Sequence, residues 1–163
     1  RDRLQLSGRK LLVIGAGRIG RRVIDKMSSF MDVDSYDSLT DSSEMLEPKI
    51  RSADCISLHV PLTSETHHMI DKEKLEWMRD ETLIVNTARA PVIDEDALIN
   101  ELQKGRLRAA IDVFWQEPYC GKLTAIGADR FIRTPHIAST CKEFLMGTAN
   151  DFLNFKSRME SQR

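Results

Sequence analysis

The sequence predicts an α/β domain built on a doubly wound, mostly parallel sheet. Three observations carry that expectation. Short apolar runs alternate with helical patterns along the whole chain, the order that builds a parallel sheet covered on both faces. A glycine-rich turn, Gly15-Ala16-Gly17-Arg18-Ile19-Gly20, sits between the first apolar run and the first helical pattern. The length, 163 residues with no internal repeat and no Pro/Gly-rich linker, suits one domain with a substantial core.

Taken in order, residues 10–14 (Lys-Leu-Leu-Val-Ile) read as a buried strand and residues 19–29 as the helix after the turn. A weaker second strand covers 33–36, interrupted by Asp34. Residues 42–51 suggest a short helix that Pro48 compromises. The third strand, 55–60, is stopped by Pro61. Asp71 can cap a helix through Met78, and a fourth strand follows over 82–86. Asp94 caps a helix reaching Lys104, with Gly105 where a helix end wants a left-handed residue. Residues 108–112 and 131–134 are the fifth and sixth strands. The tail, 141–159, reads as a helix with Phe144, Leu145, Phe152 and Phe155 on one apolar stripe. Right-handed crossovers leave the doubly wound sheet as the simplest topology, and ligands of such sheets bind beyond the carboxyl ends of the strands.

Composition narrows the classes of function. With 24 Lys+Arg against 25 Asp+Glu the formal charge is −1, so no basic surplus points to nucleic acid or an anionic membrane. A hydrophobic share of 41% argues against disorder, and the longest apolar runs are too short to span a bilayer. Cys55, Cys120 and Cys141 form no CxxC pair and cannot all pair within one chain, which suits a reducing, cytoplasmic setting. No Cys/His cluster suggests a metal. The adjacent His67 and His68 read better as a solvated pair than as ligands. The chain opens on Arg1 without Met, so a fragment of a longer protein is expected.

In the glycine-rich turn each glycine has its own reason: Gly15 for the tight turn, Gly17 for backbone approach to a pyrophosphate, Gly20 for close packing of helix on sheet. The helix N-terminus adds free N–H groups and the positive end of its dipole. Asp37 stands seventeen residues past Gly20, at the end of the second strand. A carboxylate there can accept both ribose hydroxyls of NAD and repel the extra phosphate of NADP. Asp34 is the rival for that role, weaker for lying inside the strand. Turn and carboxylate together predict a Rossmann-type site for NAD.

Three polar residues follow later strands: Arg89 after the fourth, Glu117 after the fifth and His136 after the sixth. With them, the ordered stretches Gly15 to Gly20, His59-Val-Pro61-Leu-Thr63, Asn86-Thr87-Ala88-Arg89, Asp94-Glu-Asp-Ala-Leu98, Ala110-Ile-Asp112-Val-Phe114, Glu117-Pro118 and Thr134-Pro-His136 resemble the coenzyme-binding domain of the D-isomer-specific 2-hydroxyacid dehydrogenases. The resemblance runs nearly end to end. It implies that Arg89 grips a substrate carboxylate and polarises its 2-oxo group, a task for the guanidinium fork. It implies that His136 is the general acid/base and Glu117 its carboxylate partner. Physically, a 2-oxo acid needs a proton at oxygen as hydride reaches carbon, and histidine titrates near neutrality. The cofactor residues implied are Gly15, Gly17, Arg18, Ile19, Gly20, Asp37, Pro61, Thr87, Ala88 and Asp112, the last at the nicotinamide end. The similar formate dehydrogenases carry glutamine where Glu117 stands, because formate oxidation needs no proton shuttle, so the Glu–His pair favours hydroxy-acid chemistry.

Two departures stand out. Ala90-Pro91 replaces the glycine usual after the arginine, and Ala138-Ser139 stands where glycines are common. The first is expected to be able to shift Arg89, since the turn has lost its freest residue. The resemblance further implies a two-domain parent, so the whole chain, 1–163, is expected to be a coenzyme domain whose substrate domain is absent. The reaction implied is NAD-dependent interconversion of a small 2-oxo acid and its D-2-hydroxy acid. The alternative is an NAD-binding scaffold like the C-terminal-binding-protein corepressors. A homodimer through this domain is also implied, with Trp77, Trp115 and the 144–155 stripe as interface candidates, although core packing explains them more simply.

Overall fold

The computed structural model describes residues 5–138. The expected tail helix, Cys141 and Ser139 lie outside them. Among the described residues, thirteen short elements follow the expected alternation. The strands are β1 (Lys10–Ile14), β2 (Asp32–Tyr36), β3 (Cys55–Leu58), β4 (Leu83–Asn86), β5 (Arg108–Ile111) and β6 (Phe131–Arg133). The α-helices are α1 (Arg18–Met27), α2 (Leu46–Ser52), α3 (Lys72–Trp77) and α4 (Glu95–Gln103). All six strands are parallel, in the order β2-β1-β3-β4-β5-β6. The chain moves outward from β1 to β2 and then returns to place β3 on the other side of β1. The crevice of such a reversal lies between the carboxyl ends of β1 and β3.

Strand alternation explains the core. Leu12, Ile14, Ile56, Leu58, Ile84 and Ile111 point to one face and are almost wholly buried. They pack with Leu46 and Ile50 of α2, Leu75 of α3, and Leu98, Ile99 and Leu102 of α4. Each such side chain contributes roughly 1.5–3 kcal/mol by leaving water. The other face carries Leu11, Cys55, Leu83 and Val85, which with Val23 and Met27 of α1 line a hollow of about 980 Å³. That hollow lies toward the amino ends of the strands and contains none of the expected site residues.

Local chemistry sets the element ends. Asp71 and Asp94 cap α3 and α4, accepting from the Lys74 and Ala97 N–H groups. Gly105, at φ +70, closes α4. The segment expected as one helix over 42–51 is divided: a 3-10 turn (Ser43–Met45) runs into α2. Pro48 has no N–H to offer the Glu44 carbonyl, so an unbroken α-helix could not form there. β3 stops two residues earlier than expected. His59 N–H still donates to the Ile14 carbonyl at 2.8 Å, but β1 ends there in the Gly15 turn and leaves Val60 no strand to pair with. Trp77 and Trp115 pack against the core rather than standing free.

Candidate active site

Gly15 and Gly20 shape the turn after β1 by what they leave out. Gly15 has φ +95, and a Cβ on it would fall 2.8 Å from the His59 carbonyl group at the end of β3. A Cβ on Gly20 would fall 1.8 Å from the Gly15 oxygen. At Gly17 the same atom would meet nothing within 4 Å. Gly17 is also the N-cap of α1 and provides no side-chain cap, so the N–H groups of the first turn open outward. A cleft of about 540 Å³ adjoins that helix end, lined by Arg18, Ile19, His59, Val60, Pro61, Leu62, Thr87, Ala88 and Arg89. Arg18 and Arg89 are the cationic residues of that lining, and no acidic residue belongs to it. An exposed glycine, uncapped helix N–H groups and the adjacent Arg18 fit the pyrophosphate of a dinucleotide.

Asp37 follows β2 beside this turn. Its Oδ2 accepts from Ala16 N–H at 2.9 Å and its Oδ1 from Leu39 N–H at 3.1 Å. Asp34, the rival, is held elsewhere: Lys49 Nζ donates to it at 2.7 Å, and Lys10 lies 3.8 Å away. Burial pushes its carboxyl up, but the Lys49 bond, the Ser35 N–H at 2.8 Å and the two lysine charges outweigh it and hold the carboxyl below the ordinary range. Asp34 is thus a structural ion pair, and Asp37 is the carboxylate at the strand end.

Arg89 is placed by a residue whose role the sequence did not announce. Asn86, fully buried at the end of β4, accepts from Ala88 N–H and donates to the Arg89 carbonyl, both at 3.0 Å. An asparagine at a strand end, followed closely by a functional residue, is the signal that could have found it. Arg89 Nη1 donates to the Ala88 carbonyl at 2.6 Å and the side chain is exposed. Ala90 starts a 3-10 turn (Ala90–Val92) with Pro91 next, and Ala90 is not among the residues with positive φ. The missing glycine therefore costs the turn no backbone strain.

The Glu117 and His136 side chains meet although nineteen residues separate them. His136 Nδ1 lies 3.0 Å from each Glu117 oxygen, and Phe114 N–H donates to the same carboxylate at 3.2 Å. The bond to His136, seconded by the Phe114 N–H, holds the Glu117 carboxyl below the usual glutamate range. A carboxylate on Nδ1 assigns the ring proton there, which leaves Nε2 for exchange with a ligand. Both side chains are roughly half exposed, as a group that must reach a substrate requires.

Asp112 does more than lie at a strand end. Only 4% exposed, it accepts from the Thr134 hydroxyl, from Ile137 N–H at 3.0 Å and from Ala138 N–H at 2.9 Å. Burial would raise its carboxyl pKa, but these donors outweigh it and the result lies below the ordinary value. The three bonds bracket His136, whose backbone sits in the left-handed region at φ +54. Asp112 therefore fixes the segment that carries the imidazole. Arg89, Asp112, Glu117 and His136 follow β4, β5 and β6, which are neighbours in the sheet, and all lie at its carboxyl edge.

Comparison with known proteins identifies the family of the chain. Residues 1–138 match the family model described as the D-isomer specific 2-hydroxyacid dehydrogenase, NAD binding domain. The chain is 36% identical over 155 residues to a glyoxylate reductase of Thermofilum pendens, covering 85% of this chain and 44% of that protein. It is 37% identical over 149 residues to a hydroxypyruvate reductase of Thermotoga maritima, covering 85% and 49%. The crystal structure of D-lactate dehydrogenase from Aquifex aeolicus, complexed with NAD and lactic acid, superposes with a TM-score of 0.82 at 31% identity, over 94% of this chain and 54% of that one. The chain thus spans about half the length of the curated relatives it matches. It belongs to the D-isomer specific 2-hydroxyacid dehydrogenase family, whose NAD-binding domain it contains.

Proposed function

We propose that this chain is the coenzyme half of an NAD-dependent D-2-hydroxyacid dehydrogenase, interconverting a small 2-oxo acid and its D-2-hydroxy acid. The observation that carries the reading is the Glu117 carboxylate seated on His136 Nδ1 at 3.0 Å, on the sheet edge that also bears Arg89. Bound NADH supplies the hydride. As it reaches the 2-oxo carbon, His136 in its imidazolium form gives the Nε2 proton to the carbonyl oxygen, and Glu117 steadies the charge before transfer. In the hydroxy acid formed, the 2-carbon holds the transferred hydride and the hydroxyl oxygen holds the histidine's proton. Arg89 binds the carboxylate through paired charge-assisted bonds. Arg18, Ile19, Pro61, Thr87 and Ala88 would hold the cofactor beside the Gly15–Gly17–Gly20 turn, with Asp112 toward the end that supplies the hydride.

A substrate domain from the rest of the parent protein would close over this edge, and a second copy of the domain would complete a homodimer. Among the described residues no helix is long and apolar enough to cross a membrane, which suits a cytoplasmic enzyme. Selectivity for NAD follows from Asp37. In a fluorescence titration NADH is expected to bind at least tenfold tighter than NADPH, and Asp37→Ser should narrow that gap. Equal affinities in the unaltered protein would contradict the assignment.

A further inference from the structure

Glu117 belongs to an exposed loop after β5, yet it must meet His136 at a fixed place. Three side chains of that loop reach back to one short segment at the start of α4. Trp115 Nε1 donates to the Ile93 carbonyl at 3.2 Å, the Tyr119 hydroxyl donates to Glu95 Oε1 at 2.6 Å, and Lys122 Nζ lies 3.1 Å from Asp96 Oδ1. The lysine pair is largely solvated and holds little. Tyr119 does two things at once. Its oxygen also accepts from Leu123 N–H at 3.3 Å, and its ring packs on Phe114 with centroids 5.0 Å apart. One hydroxyl thus closes the loop on itself and ties it to α4. The segment it grips runs on directly from Arg89.

We infer that Tyr119, through its hydroxyl bond to Glu95, is a positioning residue that sets Glu117 against His136 and in register with Arg89. The inference rests on reading Glu117 and His136 as the proton-transfer pair. Phe114 links the two ends of the argument: its ring touches Tyr119 while its N–H donates to Glu117. Burial, and then the bond to Glu95, push the Tyr119 hydroxyl up to about 12, so it stays a neutral donor at every working pH.

The test uses the whole chain with Tyr119→Phe, which keeps the ring and removes only the hydroxyl, and Glu95→Ala, which removes the acceptor. Glu117 is followed by carboxyl-carbon NMR across an acid titration. Both variants should move its midpoint up toward the ordinary glutamate value, with the double variant no worse than either single one. Glu95→Gln, which retains an acceptor oxygen, should behave as the unaltered protein. Where glyoxylate turnover with NADH is measured, Tyr119→Phe should lower kcat about tenfold and leave the KM for NADH unchanged. An unmoved Glu117 midpoint in both variants, or effects that simply add, would overturn the inference. The NMR arm needs no turnover. Glyoxylate reduction undiminished in His136→Asn would therefore sink the proton-transfer reading by itself and leave the Tyr119 result separately decided.

Discussion

Asp112→Asn perturbs the site while preserving its shape. The native carboxylate accepts from the Thr134 hydroxyl and Ile137 N–H on one oxygen and from Ala138 N–H on the other. The carboxamide keeps one acceptor and turns an NH2 donor toward a second donor. At least one charge-assisted bond is lost, worth roughly 1.5–3 kcal/mol. Residues 134–138 are exposed, so a freed N–H can turn to water, which keeps the loss near 2 kcal/mol, about thirtyfold in an opening equilibrium. His136 has its own reason to move once released, because a left-handed backbone at a non-glycine residue costs about 1 kcal/mol or more. Amide hydrogen exchange at Ile137 and Ala138 should accelerate by that factor, and urea unfolding should register the loss. Exchange unchanged at both amides, with stability within about 0.5 kcal/mol of the parent, would refute the assignment of Asp112 as the anchor of His136.

Two glycines separate packing from ligand approach. Gly20→Ala must fit a Cβ placed 1.8 Å from the Gly15 oxygen and should cost about 3 kcal/mol in urea unfolding. Gly17→Ala meets no neighbour and, at an N-cap, should cost under about 1 kcal/mol of stability, while NADH affinity falls at least tenfold because the methyl fills the phosphate approach. Matching effects of the two on stability would contradict this division. Acid should destabilise the fold in a defined window. Burial works against Asp34, Asp54, Glu101 and Asp112, but Lys49 on Asp34, the Lys10 N–H and then Arg79 on Asp54, Lys104 on Glu101 and the donors around Asp112 outweigh it and hold all four below their ordinary values. Groups with a depressed folded pKa stabilise above the unfolded value, near 4, and lose that contribution as pH falls through the folded one. The urea midpoint should therefore stay level from pH 7 to about 5 and fall below about 4. A midpoint at pH 3 equal to that at pH 7 would contradict the sign.

What the sequence made legible follows from periodicity and from spacing along the chain. Most of the strands could be read because they are short apolar runs, β1 closed by Gly15 and β3 followed by Pro61, whereas β2, with Asp34 inside it, is the weakest. The Gly15–Gly20 turn could be read because its residues are contiguous. Glu117 and His136 were recognisable as partners only through the family motif, since no local pattern encodes a bond across nineteen residues. The remainder depended on folding the sheet first. Asp112 reads as a simple strand-end carboxylate until β6 is laid beside β5, when it meets the 134–138 backbone. The Tyr119 hydroxyl has no acceptor for its proton until α4 places Glu95 against the loop, twenty-four residues away in sequence. The 3-10 turns at Ala90–Val92 and Lys122–Ala125 lack any periodic signature because three or four residues are too few to show one. Asn86 lies within the Asn86-Thr87-Ala88-Arg89 motif, but its role depends on the Arg89 turn folding back over it.

The central claim is that His136, steadied by Glu117, moves the proton at an NAD site. The measurement that tests it most directly is His136→Asn in the full-length protein, with NADH binding and reduction of glyoxylate and hydroxypyruvate followed side by side. The expected result is NADH affinity within about threefold of the parent and turnover reduced by roughly 10²–10⁴. Turnover undiminished with the imidazole gone would contradict the account.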